Sequence, residues 1–414
     1  MRLAVLALSL GLAASPALAQ TAYEPTILPA PGETVCPGGL CQHEALTPLF
    51  EALAATEAGE RDTPVHILQI GDSHTAGDRI TGKLRADLQA RFGNAGRGVL
   101  PAGVPWAGYA PLQVEVTAAD WVLTPMMLTL RAGYGARGVG LTGAPAPTFG
   151  AAPRLRLSFD PGNEAGSIGF CGRTNARLTL AADGQSQDMV VAGWEGRPDC
   201  VTTSLSQQAR ELILMNVSGE GPYDLFVKTG RPGVIVSNLG IVSTTLRDLA
   251  ARDDEIAAVE LAFWNPQLVV LAYGTNEGFD DDLDSIDYER LLRAQIERMR
   301  RLAPQSALMI LGAPDALRTG EPGGCSADGR RRPPPNLAVV RDVQRRVSAE
   351  MGVAFWDWRG RMGGDCSADR LATMTEPLMR GDRVHFTSEG ADWIGGILSR
   401  DLMAAYDAWK GEAE

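Results

Sequence analysis

LQIGDSHTAGD, residues 68–78, decides how the chain folds. The apolar run PVHILQIGD (64–72) has strand length and ends at Gly71, where small polar residues take over. Beyond Ser73, the residues Ile80, Leu84, Leu88 and Phe92 recur every four positions, which lays one apolar stripe along a helix of about four turns. The stretch therefore reads as a strand buried on both faces, a tight turn and a helix, with Ser73 on the turn. Taken alone, Gly71-Asp72-Ser73 reads first as turn residues that satisfy their own backbone. The rest of the chain has to separate a turn from a nucleophile.

Further apolar strands are predicted within GVIVSNLGI (233–241), PQLVVLAYGTNE (266–277), SALMILGAPD (306–315) and GVAFWDWRG (352–360). Helical patterns stand between and after them: Leu291, Leu292, Ile296 and Met299, then residues 336–351, then 388–409. Strand and helix in alternation imply a parallel sheet between helical layers. From about 106 to 232 the character changes to short runs such as PRLRLSFD, ARLTLAADG, ELILMNVSG and PYDLFVKTG, the pattern of an antiparallel β-sandwich. That stretch contains no histidine and no catalytic cluster. Because the strand and helix near 65–92 need partners that only the second half supplies, the β-rich stretch is read as an insertion. The expected organisation is a leader (1–19), a lead-in with a short helix (20–60), an α/β domain in two parts (61–105 and 233–410) and the inserted sandwich (106–232).

The first twenty residues carry one base, a short apolar stretch and Ala17-Leu18-Ala19, the pattern of a cleaved export signal, too short to span a bilayer. An exported, periplasmic or secreted protein without membrane insertion is expected. In such a compartment six cysteines favour disulfides, and proximity in sequence pairs Cys36 with Cys41, Cys171 with Cys200, and Cys325 with Cys366. With no CxxC and four histidines, a metal site is not expected. A formal charge of −12, which becomes more negative once Arg2 leaves with the signal, disfavours nucleic acid as a partner. The run Arg330-Arg331-Arg332 is read as a solvated loop, and the acidic stretch Asp280–Asp287 as a loop and helix start.

Functional groups of such sheets gather beyond the carboxyl ends of the strands. Four polar clusters fall there: Ser73, Gly240 after GVIVSNL, Asn276 in Gly274-Thr275-Asn276-Glu277, and Asp382 with His385 in GDRVHFT. Acyl transfer from an ester needs a hydroxyl, a base and donors for the oxyanion. Ser73 can supply the hydroxyl, His385 the base and Asp382 its orienting partner. The N–H groups of Ser73 and Gly240 and the Asn276 amide can supply the donors. His74, His66 and His43 are read as structural, and Trp106, Trp194 and Trp264 as packing residues or sugar platforms. The G-x-S-x-G nucleophile elbow is absent, since Thr75 follows Ser73 by two.

These blocks, in this order, resemble the SGNH (GDSL-like) hydrolase superfamily: Gly71-Asp72-Ser73 with Gly77, the Gly of NLG at 240, GTNE with Asn276, and DRVHFT with Asp382 and His385. The resemblance implies a three-layer α/β/α flavodoxin-like domain and ester hydrolysis without a metal or organic cofactor. The GDSHTAGD form, the disulfide-bearing lead-in and the β-rich insertion resemble exported bacterial peptidoglycan or polysaccharide O-acetylesterases, whose substrate is an acetylated glycan. NLGIVSTT departs from the Gly-x-x-Gly-Ala form of the family, which touches the role of Gly240. A polysaccharide O-acetyltransferase using the same triad, and a glycan-binding protein without activity, remain open at this level.

Overall fold

Five strands of the largest sheet run parallel, in the spatial order Val234–Gly240, Val65–Gly71, Leu268–Ala272, Ala307–Leu311, Ala354–Trp356, and Leu40–Cys41 adds an antiparallel edge. In this computed structural model the described residues are 36–124, 138–172, 176–191, 197–219, 221–320 and 323–413. The leader and Trp194 lie outside them. Numbered along the chain, the parallel strands follow the doubly wound order 2-1-3-4-5, so the chain reverses direction across the sheet beside the first strand. Val65–Gly71 is buried along its whole length, as its unbroken apolar run requires.

Helices cover both faces. Thr47–Glu57, Arg79–Phe92 and Ser388–Ala413 close one core, where Ile80, Leu84 and Leu88 meet Val65, Ile67, Ile394 and Leu398. Asp254–Trp264, Ser285–Leu302 and Leu337–Met351 close the other, against Leu68, Ile70, Val269 and Ile310. Trp264 is buried in this second core, which excludes it as a sugar platform.

Between the first helix and the second parallel strand lie a five-stranded and a four-stranded antiparallel sheet sharing a third core. The four-stranded sheet begins with Gly98–Pro101, earlier than the alternating pattern is visible in sequence, because those four residues are all buried and carry no alternation. Its junction with the parallel sheet is hydrogen-bonded: Ser237 Oγ accepts the Val99 N–H at 2.8 Å and lies 2.8 Å from His66 Nε2. The other His66 nitrogen meets the Trp264 carbonyl at 2.9 Å, and burial pushes this imidazole down to about 4. His66 is structural.

Three disulfides join Cys36 to Cys41, Cys171 to Cys200 and Cys325 to Cys366. The last fastens a small ribbon of three short strands, one of which is Arg330–Arg332. The arginine run is thus paired backbone and not a bare loop, and Arg331 Nη2 donates to the Gly381 carbonyl at 3.3 Å. Among the described residues no helix is long and apolar enough to cross a membrane.

Candidate active site

Two neighbours hold the first strand's carboxyl end in register: Gly240 and Ala272 both pair with Gly71. A Cβ on Gly71 would lie 2.3 Å from Thr75 Oγ1 and 2.6 Å from the Ala272 carbonyl, so only glycine lets the chain turn here. Asp72 then caps the short helix Ser73–Ala76 by accepting the His74 N–H at 2.9 Å. The cap places Ser73 at the first helical position, where its own N–H has no intrahelical partner.

Ser73 Oγ lies 3.0 Å from His385 Nε2, although 312 residues separate them in sequence. His385 Nδ1 lies 2.9 Å from Asp382 Oδ2, while Asp382 Oδ1 accepts the N–H groups of Val384 at 2.9 Å and His385 at 3.0 Å. One carboxylate thereby shapes the loop and orients the ring. Burial pushes the Asp382 carboxyl up, but the two backbone N–H groups and the His385 ring outweigh it and hold the group below its ordinary value. Hydroxyl, imidazole and carboxylate form a continuous hydrogen-bonded series, the geometry that lets a serine lose its proton as it attacks a carbonyl.

The other two expected site residues share this sheet edge. Asn276 Nδ2 donates to the Thr244 carbonyl at 2.8 Å, which leaves its second N–H for another acceptor. Thr244 Oγ1 in turn donates to the Ile241 carbonyl at 2.7 Å and lies 3.4 Å from the Gly71 carbonyl. The Gly240 N–H is already used, donating to Asn238 Oδ1 at 3.0 Å. A Cβ at position 240 would stand 2.1 Å from the Ala76 nitrogen, so this glycine lets the strand end touch the helix that carries Ser73.

Ser73 and His385 open onto a cleft of about 540 Å³. Trp106, from the segment between the strands Gly98–Pro101 and Val114–Val122, lines it, and so do Arg79 and Arg380, both exposed. His43 lies away from this cleft, on the short turn before Thr47–Glu57. The acidic stretch from Asp280 is largely exposed, and Asp284 caps the helix Ser285–Leu302 through Ile286 and Asp287.

Three residues around the site carry contacts that the sequence did not announce. His74 stacks on His385, with ring centroids 5.4 Å apart. Asp78 is buried and accepts from Arg85 at 2.7 Å, Arg97 at 2.9 Å, Thr81 at 2.8 Å and the Leu112 N–H at 2.8 Å. Arg380 donates to the Phe386 carbonyl at 3.1 Å and so braces the loop that bears His385. The one available signal was the acid that closes GDSHTAGD, since a charged residue on an apolar helix start needs a partner.

Residues 215–393 match the GDSL-like Lipase/Acylhydrolase family. The matched stretch holds the blocks with Gly240, Asn276 and Asp382–His385 and begins within the last strands of the antiparallel sheets, so Ser73 lies outside it. A solved peptidoglycan O-acetylesterase superposes with a TM-score of 0.73 at 25% identity, over 89% of this chain and 99% of that one. A GDSL-like lipase from Parabacteroides merdae matches at 17% identity over 41% of this chain and 73% of its own, with a TM-score of 0.31. The acetyl xylan esterase AlAXEase matches at 16% over 41% and 81%, with a TM-score of 0.29. No curated protein matches the sequence. The order of blocks, the doubly wound sheet, the GDSL-like match over residues 215–393 and the superposition over 89% of the chain make this chain similar to the GDSL-like hydrolases and support a carboxylic ester hydrolase.

Proposed function

We propose that the protein is an exported serine esterase that removes O-acetyl groups from peptidoglycan or another polysaccharide. The observation that carries this reading is the unbroken series Asp382, His385, Ser73, with contacts of 2.9 and 3.0 Å, opening onto a cleft of about 540 Å³. Ser73 Oγ attacks the acetyl carbonyl and its proton passes to His385 Nε2. His385 returns that proton to the departing sugar oxygen, leaving acetyl-Ser73, and then draws a proton from the water that releases acetate. The Ser73 N–H and the free N–H of Asn276 serve the oxyanion. The Gly240 N–H joins them only by exchanging Asn238 for the substrate.

Likeness to a peptidoglycan O-acetylesterase along nearly the whole chain supports the substrate, and so do Arg79 and Arg380. Two exposed guanidinium groups lining a cleft, on a chain of net charge −12, favour a glycan that carries carboxylates over a neutral one. The signal-like pattern of residues 1–20 and the three disulfides support an oxidising compartment. The test is acetate release by the purified protein from O-acetylated peptidoglycan and from acetylated xylan. Faster release from peptidoglycan is expected, and Ser73→Ala is expected to abolish it. Full activity in that variant would remove the mechanism, and acetylated glycan as product would indicate transfer.

A further inference from the structure

His74 is the second histidine of the site, and the triad does not use it. Its ring is buried, with Trp358 and Phe386 packed edge-on at centroid distances of 5.4 and 6.1 Å. Both ring nitrogens face acceptors. Nε2 lies 2.9 Å from the Val384 carbonyl, which can only accept, so Nε2 carries a proton. Nδ1 lies 3.3 Å from Asp72 Oδ1, the same oxygen that already accepts the His74 backbone N–H as a helix cap. That is the role of an ionised carboxylate, so Nδ1 carries a proton too. A neutral imidazole has one N–H, and this site calls for two.

The charged groups facing the ring are few. Asp72 lies on its own turn, and Asp382 and His385 lie on the loop that closes over it. The helix Trp358–Met362 turns an indole toward it. Asp72 is in turn near Tyr273 and Glu277, on the loop after Leu268–Ala272 and the helix that follows. Burial pushes the His74 imidazole down, but the Asp72 carboxylate, the Val384 carbonyl and Asp382 together raise it above its ordinary value.

We propose that His74 is a positioning residue held as an imidazolium, which clamps the Ser73 turn to the backbone beside His385. This rests on Ser73 and His385 acting as nucleophile and base. The clamp joins Asp72, one residue before the nucleophile, to Val384, one residue before the base.

Two variants test the clamp. His74→Gln keeps a donor toward Val384 without the charge, and His74→Phe keeps neither. With a chromogenic acetyl ester, turnover should fall roughly 10-fold in H74Q and about 100-fold in H74F, with KM nearly unchanged, because the clamp helps to hold the reacting atoms in line. Full turnover in folded H74F overturns the proposal, since a merely structural ring would cost stability without lowering kcat at constant KM. Nitrogen NMR of the wild-type imidazoles tests the charge without any variant. Two protonated His74 nitrogens at pH 7 support it, and one bare nitrogen overturns it. Failure of the triad itself would show separately, as activity that survives Ser73→Ala.

Discussion

Asp382 shows how much one side chain does here. Its Oδ1 accepts the N–H groups of Val384 and His385, and its Oδ2 meets His385 Nδ1. Asp382→Asn can keep the backbone bonds through its carbonyl oxygen, but its amide then turns N–H groups toward Nδ1 and favours the wrong tautomer. Turnover is expected to drop by about 10²–10⁴-fold, with KM and thermal stability little changed, in steady-state kinetics beside a melting curve. Loss of stability in proportion to activity would instead make Asp382 a loop brace. Ser73, His385 and Asp382 were legible in sequence because ester chemistry restricts the residue types and the strand ends restrict their places. Gly240 was legible as a position but not as a role. Its sequence said a donor, whereas the structure gives its N–H to Asn238 and uses its missing side chain to let Ala76 approach. The orientation of His74 could not be read, because one of its two partners lies 310 residues away.

At the scale of elements, the start of Arg79–Phe92 depends on Asp78. This residue takes a left-handed conformation at φ 50° and binds Arg85 on the helix, Arg97 at the approach to the inserted sheets and the Leu112 N–H in the segment beyond. Burial alone would raise its carboxyl, but Arg85 and Arg97 overcome this and lower it to about 2. A carboxyl held below its unfolded value contributes stability that is complete above about pH 4 and disappears as pH falls toward 2. Asp78→Asn tolerates the same backbone yet leaves two buried guanidinium groups without a counter-charge, at a cost of about 3–5 kcal/mol. Urea unfolding at pH 7 should show that deficit, and at pH 2.5 the gap to wild type should narrow. An equal deficit at both values would mean that packing, not charge, carries the effect. The apolar stripe at Ile80, Leu84, Leu88 and Phe92 was plain in sequence, because helix period and burial coincide. The Asp78 cluster was not, because Arg97 joins it from beyond the helix and only the fold brings the two together.

For the whole molecule, the decisive joint is the one between the inserted sheets and the α/β domain. Parallel and antiparallel halves were separable in sequence by their periodicities, but nothing in either half announced how they meet. They meet over buried acid: Asp224, on a strand of the four-stranded sheet, and Glu260, on the helix Asp254–Trp264, are both fully enclosed. Glu260 Oε2 accepts the Leu141 N–H at 2.6 Å, and Arg252 donates nearby to the Leu141 carbonyl. Burial first, then the mutual proximity of the two carboxyls, raises Asp224, and burial raises Glu260 to about 7. A carboxyl raised above its unfolded value binds its proton more tightly in the folded state, so the stability Glu260 contributes falls as pH climbs from about 4.5 to 7, and raised Asp224 acts in the same direction. Glu260→Gln keeps an acceptor for Leu141 and removes the charge. Melting curves at pH 5 and pH 8 should show wild type losing about 2–5 °C between them and the variant losing much less, with the variant the more stable at pH 8. If the two proteins instead run parallel across that range, the acid pair is ionised in the folded state and Arg252 balances it, so the joint does not respond to pH.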